Sequence, residues 1–240
     1  MYFKHVHFSA LANPAAIFMI LIGTVGAVMN AFPMRDLTKI GSLFRIIFLG
    51  PKIKINNKAT LETMMNYAQL IRKESPLAIE KEMDKMADPF MKRGFDLFLL
   101  AQPHEKIEEI LFEDIEAMEA RHQANAQIFT QAGTYAPTLG VLGAVVGLIA
   151  ALSNMGDQKA LGDAISAAFI ATIYGIFTGY VLWHPFANKL KRASKMEAIN
   201  KSMIATGIVE ISQGSTLDVI KEKMYSYMES GKRNVDISRG

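Results

Sequence analysis

The 240-residue chain has no cysteine. That excludes disulfides, thiolate metal sites and cysteine nucleophiles, and it fits polar segments that stay in the cytosol. Enzyme signatures are missing too. No stretch reads GxxxxGK[ST], GxSxG or HExxH, and His5, His7, His104, His122 and His184 have no metal-ligand spacing to one another or to a carboxylate cluster. The chain is therefore expected to be no enzyme and to need no cofactor or bound metal. A net charge of +3, mixed in sign, lacks the concentrated basic face that nucleic acid requires. No internal repeat or low-complexity tract is present.

The most informative absence is local. Asp, Glu, Lys and Arg are missing from residues 8–34, 123–156 and 164–188. Each run exceeds the roughly 20 mostly apolar helical residues that a bilayer core requires. The first is longer than a signal peptide's apolar region and ends at Met34-Arg35 without a small-residue cleavage site, so it reads as a span. Lysines and arginines then set the orientation. Arg35, Lys39, Arg45, Lys52 and Lys54 follow the first run, Arg121 precedes the second, and Lys189, Lys191, Arg192 and Lys195 follow the third. Those ends lie inside.

The fold class is an all-α integral membrane protein with three apparent transmembrane helices and a large helical cytoplasmic region. Residues 1–12 read as a remnant of an earlier span, 13–33, 133–153 and 164–187 as transmembrane helices, and 154–163 as a short external loop. Residues 34–132 form a cytoplasmic helical domain and 188–240 cytoplasmic C-terminal helices. Helical spacing is expected over 34–48, 60–73, 77–86 and from Asp88-Pro89 to Phe98, with the best amphipathic pattern over 104–121 running unbroken into the second span. The third span is expected to continue to Gly214. There Ser215 with Asp218 predicts a capping box for a last helix through Met228.

With no acid in either of the last two spans, any cation that passes needs a carboxylate from another chain. Those spans carry Gly143 and Gly147, and Gly175 and Gly179, both as GxxxG, which allows close helix packing in lipid. A tight hairpin and a subunit interface both fit each motif; the total of small residues exceeds what one hairpin uses, which favours an oligomer around a central space. Span hydroxyls, Thr134, Thr138 and Thr178 among them, are expected to bond back to their own helix. Thr172, in mid-span among small neighbours, is expected to be the exception. Pro137 and Pro185 interrupt the second and third spans at similar depth, each kinking its helix.

SALANPAAIFMILIGTVGAVMNAFP, EAMEARHQANAQIFTQAGTYAPTLGVLGAVVGLIAALS and LGDAISAAFIATIYGIFTGYVLWHPFANKLK resemble the MotA flagellar stator subunits, in their Bacillus-type branch, with distant similarity to TolQ and ExbB. The resemblance covers nearly the whole chain. It implies a multi-pass protein of the bacterial inner membrane, and a ring of five such subunits around two MotB-like chains that supply the membrane aspartate. Ion flow, of protons by overall similarity, turns the ring against FliG of the rotor. It further implies that Pro137 and Pro185 couple conformation to torque, that Ala144, Thr172 and Thr138 line the pore, and that Arg72 and Glu80 meet the rotor. Since the family has four spans with both termini inside, a further helix is expected ahead of Met1, lost through a start-codon or gene-model truncation or in an engineered or degenerate product. The alternatives are a TolQ/ExbB-like energiser of an envelope-spanning system, a sodium-driven stator homologue and a membrane scaffold without ion coupling. The long segment between the first two spans and the TYAPTLG context favour the stator.

Overall fold

A computed structural model describes residues 13–51, 55–153 and 156–228. The expected remnant at 1–12 and the tail at 229–240 lie outside the described residues. The described residues form two compact units, those up to 50 with 122–191 in one and those of 51–121 with 192–228 in the other.

The first unit holds the apolar runs. Helix α1 (Pro14–Ala31) starts where the Asn13 side chain accepts from the Ala16 N–H and Pro14 takes the first helical position. Two short helices follow, α2 (Met34–Leu37) and α3 (Ile40–Leu49), so the helix expected over 34–48 is broken at Thr38 and Lys39. Asp157 caps α7 (Gln158–Phe177) by accepting from the Lys159 and Ala160 N–H groups. Its winding then widens to a π segment (Thr178–Trp183) before α8 (His184–Ser212). Between these lies α6 (His104–Leu152), 49 residues without a break despite Pro137.

Among the described residues three helical runs are long and apolar enough to cross a membrane, and only 22%, 17% and 33% of their most apolar windows are buried within the chain. Helices that are apolar around most of their circumference yet unburied need a hydrocarbon solvent or apolar neighbours. At one end of this unit Phe44, Phe129, Trp183 and Phe186 interlock, mostly edge to face, with ring centroids 5.4 to 6.2 Å apart.

The second unit has an ordinary globular core. Met64, Ile79, Phe95, Ile107, Leu111 and Ile208 are fully buried in it. Asn56 caps α4 (Asn57–Lys73), and Asp88 caps α5 (Pro89–Leu99). Buried Asn200 donates to Asn57 Oδ1 at 3.0 Å and to Thr60 Oγ1 at 2.9 Å, tying α8 to the start of α4. Two elements differ from expectation. Residues Pro76–Lys85 wind as a 3₁₀ helix instead of an α-helix, burying Ala78, Ile79 and Met83. The last helix, α9 (Leu217–Tyr225), is capped by Thr216 and not by Ser215. Gly214, at φ +72°, ends α8, and the Ser215 hydroxyl donates to the Glu210 carboxylate at 2.6 Å instead. A charged acceptor makes the stronger bond.

Candidate functional site

Helices α6 and α7 touch through backbone. A Cβ on Gly140 would stand 2.8 Å from the Ala171 carbonyl oxygen, and one on Gly175 would stand 2.7 Å from the Ala136 oxygen and 3.1 Å from Gly140 Cα. Real Cβ atoms do not tolerate such distances, so these positions admit glycine alone without a shift of the helices. Gly179 continues the contact, with room for its hydrogen only against the Gly133 oxygen and the Pro137 ring. The Gly175 and Gly179 pair is thus used inside the subunit, against Gly133, Ala136, Pro137 and Gly140. Gly143 faces α1, where Met19 Sδ would lie 2.8 Å from an added Cβ, whereas nothing lies within 4 Å of one on Gly147.

The two prolines meet around the π segment. Pro137 rests on Gly179 within that segment, and Pro185 follows its end by two residues. Proline has no N–H, and in an α-helix its ring clashes with the carbonyl four residues back. Here the winding has loosened, so that the His184 N–H donates to the Gly179 oxygen five residues back. Such an inserted π turn is a recurrent mark of functional helices. His184 itself lies on Gly133, where an added Cβ would be 2.8 Å from its ring, and is 5.3 Å from the Tyr180 ring.

The span hydroxyls form a ladder. Thr130, Thr134 and Thr138 donate to the carbonyls of Ala126, Thr130 and Thr134 at 3.3, 3.1 and 3.0 Å, with Thr134 and Thr138 exposed. Thr178 donates to Tyr174. Thr172, expected to be the exception, is not one: it is half-buried and donates to the Ala168 oxygen at 3.1 Å. With its proton committed, its hydroxyl presents lone pairs outward. In this arrangement it can accept from a protonated carboxyl or ligate a cation. Ala144 is buried within the chain, 9% exposed, and offers little of its own surface to a pore.

In the second unit Arg72, in the last turn of α4, donates to the Gly214 oxygen at 3.4 Å, and Lys73 and Glu80 are exposed. Nearby, Glu210 is almost wholly buried and binds both Lys223 of α9 and Ser215. Burial alone would raise its carboxyl's pKa, but these two bonds and the Lys223 charge hold it below the ordinary value. The bond to Glu210 in turn raises Lys223.

Residues 82–227 match the MotA/TolQ/ExbB proton channel family. The chain is 51% identical to Motility protein A of Bacillus subtilis over 97% of its own length and 86% of that relative's. It belongs to the MotA/TolQ/ExbB family. Its structure is similar to the flagellar MotAB stator complex of B. subtilis, with a TM-score of 0.88 at 50% identity over 97% of this chain and 91% of that one. The fold also matches a C. jejuni MotAB structure, with a TM-score of 0.88 at 22% identity over 95% and 88% of the two chains. Within the family the chain is a flagellar stator subunit, a multi-pass protein of the bacterial inner membrane.

What the sequence left unseen at this family site is the π segment and the part played by Gly133 and Ala136, whereas Gly140 was expected among the small residues of a close-packing face. The only signal was small residues at 133, 136 and 140 facing a GxxxG on the next span. Thr130 was missed as the first rung of the ladder, although it lies four residues before Thr134.

Proposed function

We propose that this chain supplies the sleeve and the lever of a cation-driven motor, and that a MotB-like partner supplies the acid. One observation carries this reading. The stretches 123–156 and 164–188, which include the backbone-close faces of α6 and α7, contain no Asp, Glu, Lys or Arg, so the group that loads and unloads the cation must be borrowed. Five copies around two partner chains would place Thr172 and Thr138 beside the partner's carboxylate, Thr172 accepting from it once protonated. Ala144 would space the helices there. The cation is a proton, since a carboxylate alone can carry one. No covalent chemistry or cofactor is involved.

In this reading Pro137, Pro185 and the π segment between them form a coupling joint. A change in the carboxylate's charge alters how α6 and α7 pack, and loosened winding is the cheapest place to absorb the change. Arg72 and Glu80 on the exposed end of α4 and the 3₁₀ helix then meet FliG of the rotor. Positive-inside orientation places that surface in the cytosol.

Two measurements test the proposal. Liposomes holding this chain alone should pass no cations, while liposomes holding it with its partner should pass protons; flux through the chain alone would overturn it. Replacing Pro137 with Ala should abolish motility at normal membrane levels. Unchanged motility would leave a scaffold as the better reading.

A further inference from the structure

An apolar cavity of about 390 Å³ opens in the first unit between α1, the α2–α3 segment, the middle of α6 and the end of the π segment. An engineered cavity of about 150 Å³ suffices to bind benzene, so this one has room for a long stretch of hydrocarbon. Two polar atoms at its wall have no partner among the described residues. They are Thr24 Oγ1, on a residue 2% exposed, and Trp183 Nε1. Thr24 differs in this from Thr130, Thr134, Thr138, Thr172 and Thr178, which all bond back to their helices. Unpaired polar groups are costly at membrane depth.

The rim is basic. Lining residues Met34, Ile40 and Phe44 alternate along the chain with Arg35, Lys39 and Arg45, and Asp36 is the only acid from Pro33 to Gly50. Lys39 pairs with Asp36 at 3.0 Å, which leaves the exposed Arg35 and Arg45 as net positive charge. These residues lie at the cytoplasmic end of the first span, at the depth of the inner leaflet's headgroups.

We infer that the cavity is a binding site for an anionic glycerophospholipid of the inner leaflet. One acyl chain fills the apolar cavity, the glycerol ester region lies at Trp183 with a carbonyl accepting from Nε1–H after a small side-chain rotation, and the phosphate is met by Arg35 and Arg45. Such a lipid would sit beside the π segment and so load the joint between Pro137 and Pro185.

Trp183 is the chain's single tryptophan, which makes it the reporter. The full chain, with its partner's tryptophans replaced by phenylalanine, is reconstituted with phosphatidylcholine and rising fractions of acyl-brominated phosphatidylglycerol. Quenching of Trp183 should saturate at a low fraction of phosphatidylglycerol, and brominated phosphatidylcholine should need a several-fold higher fraction. Ala132→Phe, which fills the cavity, should remove the saturable part, and Arg35→Gln with Arg45→Gln should make the two lipids equal. Equal, non-saturating quenching by both lipids in the unmodified chain would overturn the site without needing any variant. So would no quenching at all, the result if a neighbouring subunit or the partner covers the cavity.

Discussion

Gly175 and Gly147 carry the same side chain in the same kind of motif, and the structure separates them. Backbone lies 2.7 Å from a Cβ on Gly175 and nothing lies within 4 Å of one on Gly147. Gly175→Ala should therefore force α6 and α7 apart and cost about 1–3 kcal/mol, the usual range for overpacking. Gly147→Ala should leave the isolated subunit's thermal stability in detergent within about 0.5 kcal/mol, as for a surface change. Equal melting shifts for the two would refute the assignment of Gly175 to the intramolecular contact. Glu210 makes a second residue-scale case. Its carboxyl's pKa lies below the ordinary 4.5, so its contribution is complete above that pH and fades as pH falls through the lower folded value. Lys223 is raised above 10.5, so its share is complete below that pH and is lost only as pH rises past the folded value. Protection of the α9 amides, taken as the intrinsic base-catalysed rate at each pH divided by the observed exchange rate, should thus be highest between these limits and fall towards acid. Glu210→Gln should flatten the acid limb and cost roughly 1–3 kcal/mol, as for a bond to a charged group.

At the scale of elements, the join between α8 and α9 depends on one left-handed residue. Gly214 has φ +72°, its oxygen accepts from Arg72, and the next two residues bind Glu210 and cap α9. A β-branched side chain there is strained by about 1–2 kcal/mol. Gly214→Val should release α9, seen as protease cleavage between 213 and 217 with the membrane helices intact. Cleavage no faster than in the unmodified chain would show that the join does not need the left-handed turn. The same stretch shows where sequence reading stops. The spans were legible because charge is absent from them, and α6 because nothing but Pro137 interrupts its pattern. The caps at Asn13, Asn56, Asp88 and Asp157 are local, each side chain reaching its own helix. Ser215 followed by Asp218 looked like the same local device, but a carboxylate from the preceding helix took the serine. Residues 178–183 contain nothing that spells a π turn; it arises from Pro185 downstream and from Pro137 across the helix contact. Thr172 failed as an exception for a simpler reason, because its own helix offers Ala168's carbonyl before any partner can.

For the whole molecule the open choice of cargo follows from what the spans can offer an ion. A proton needs only the borrowed carboxylate. A sodium ion gives up a hydration shell and needs several oxygens in return, and the central positions of α6 and α7 offer mainly glycine, alanine and aliphatic side chains, with the Thr172 and Thr138 hydroxyls, both bonded back to their own helices, as the side-chain oxygens placed at the carboxylate. Cells whose only stator contains this chain should therefore swim at a speed independent of external sodium at fixed pH and membrane potential. Speed should instead follow the proton gradient. Thr172→Val, which keeps the shape and removes the acceptor, should slow swimming several-fold without lowering membrane levels, because the protonated carboxyl loses its resting place. A speed that rises and saturates with sodium would make this subunit a sodium carrier and overturn the proton assignment.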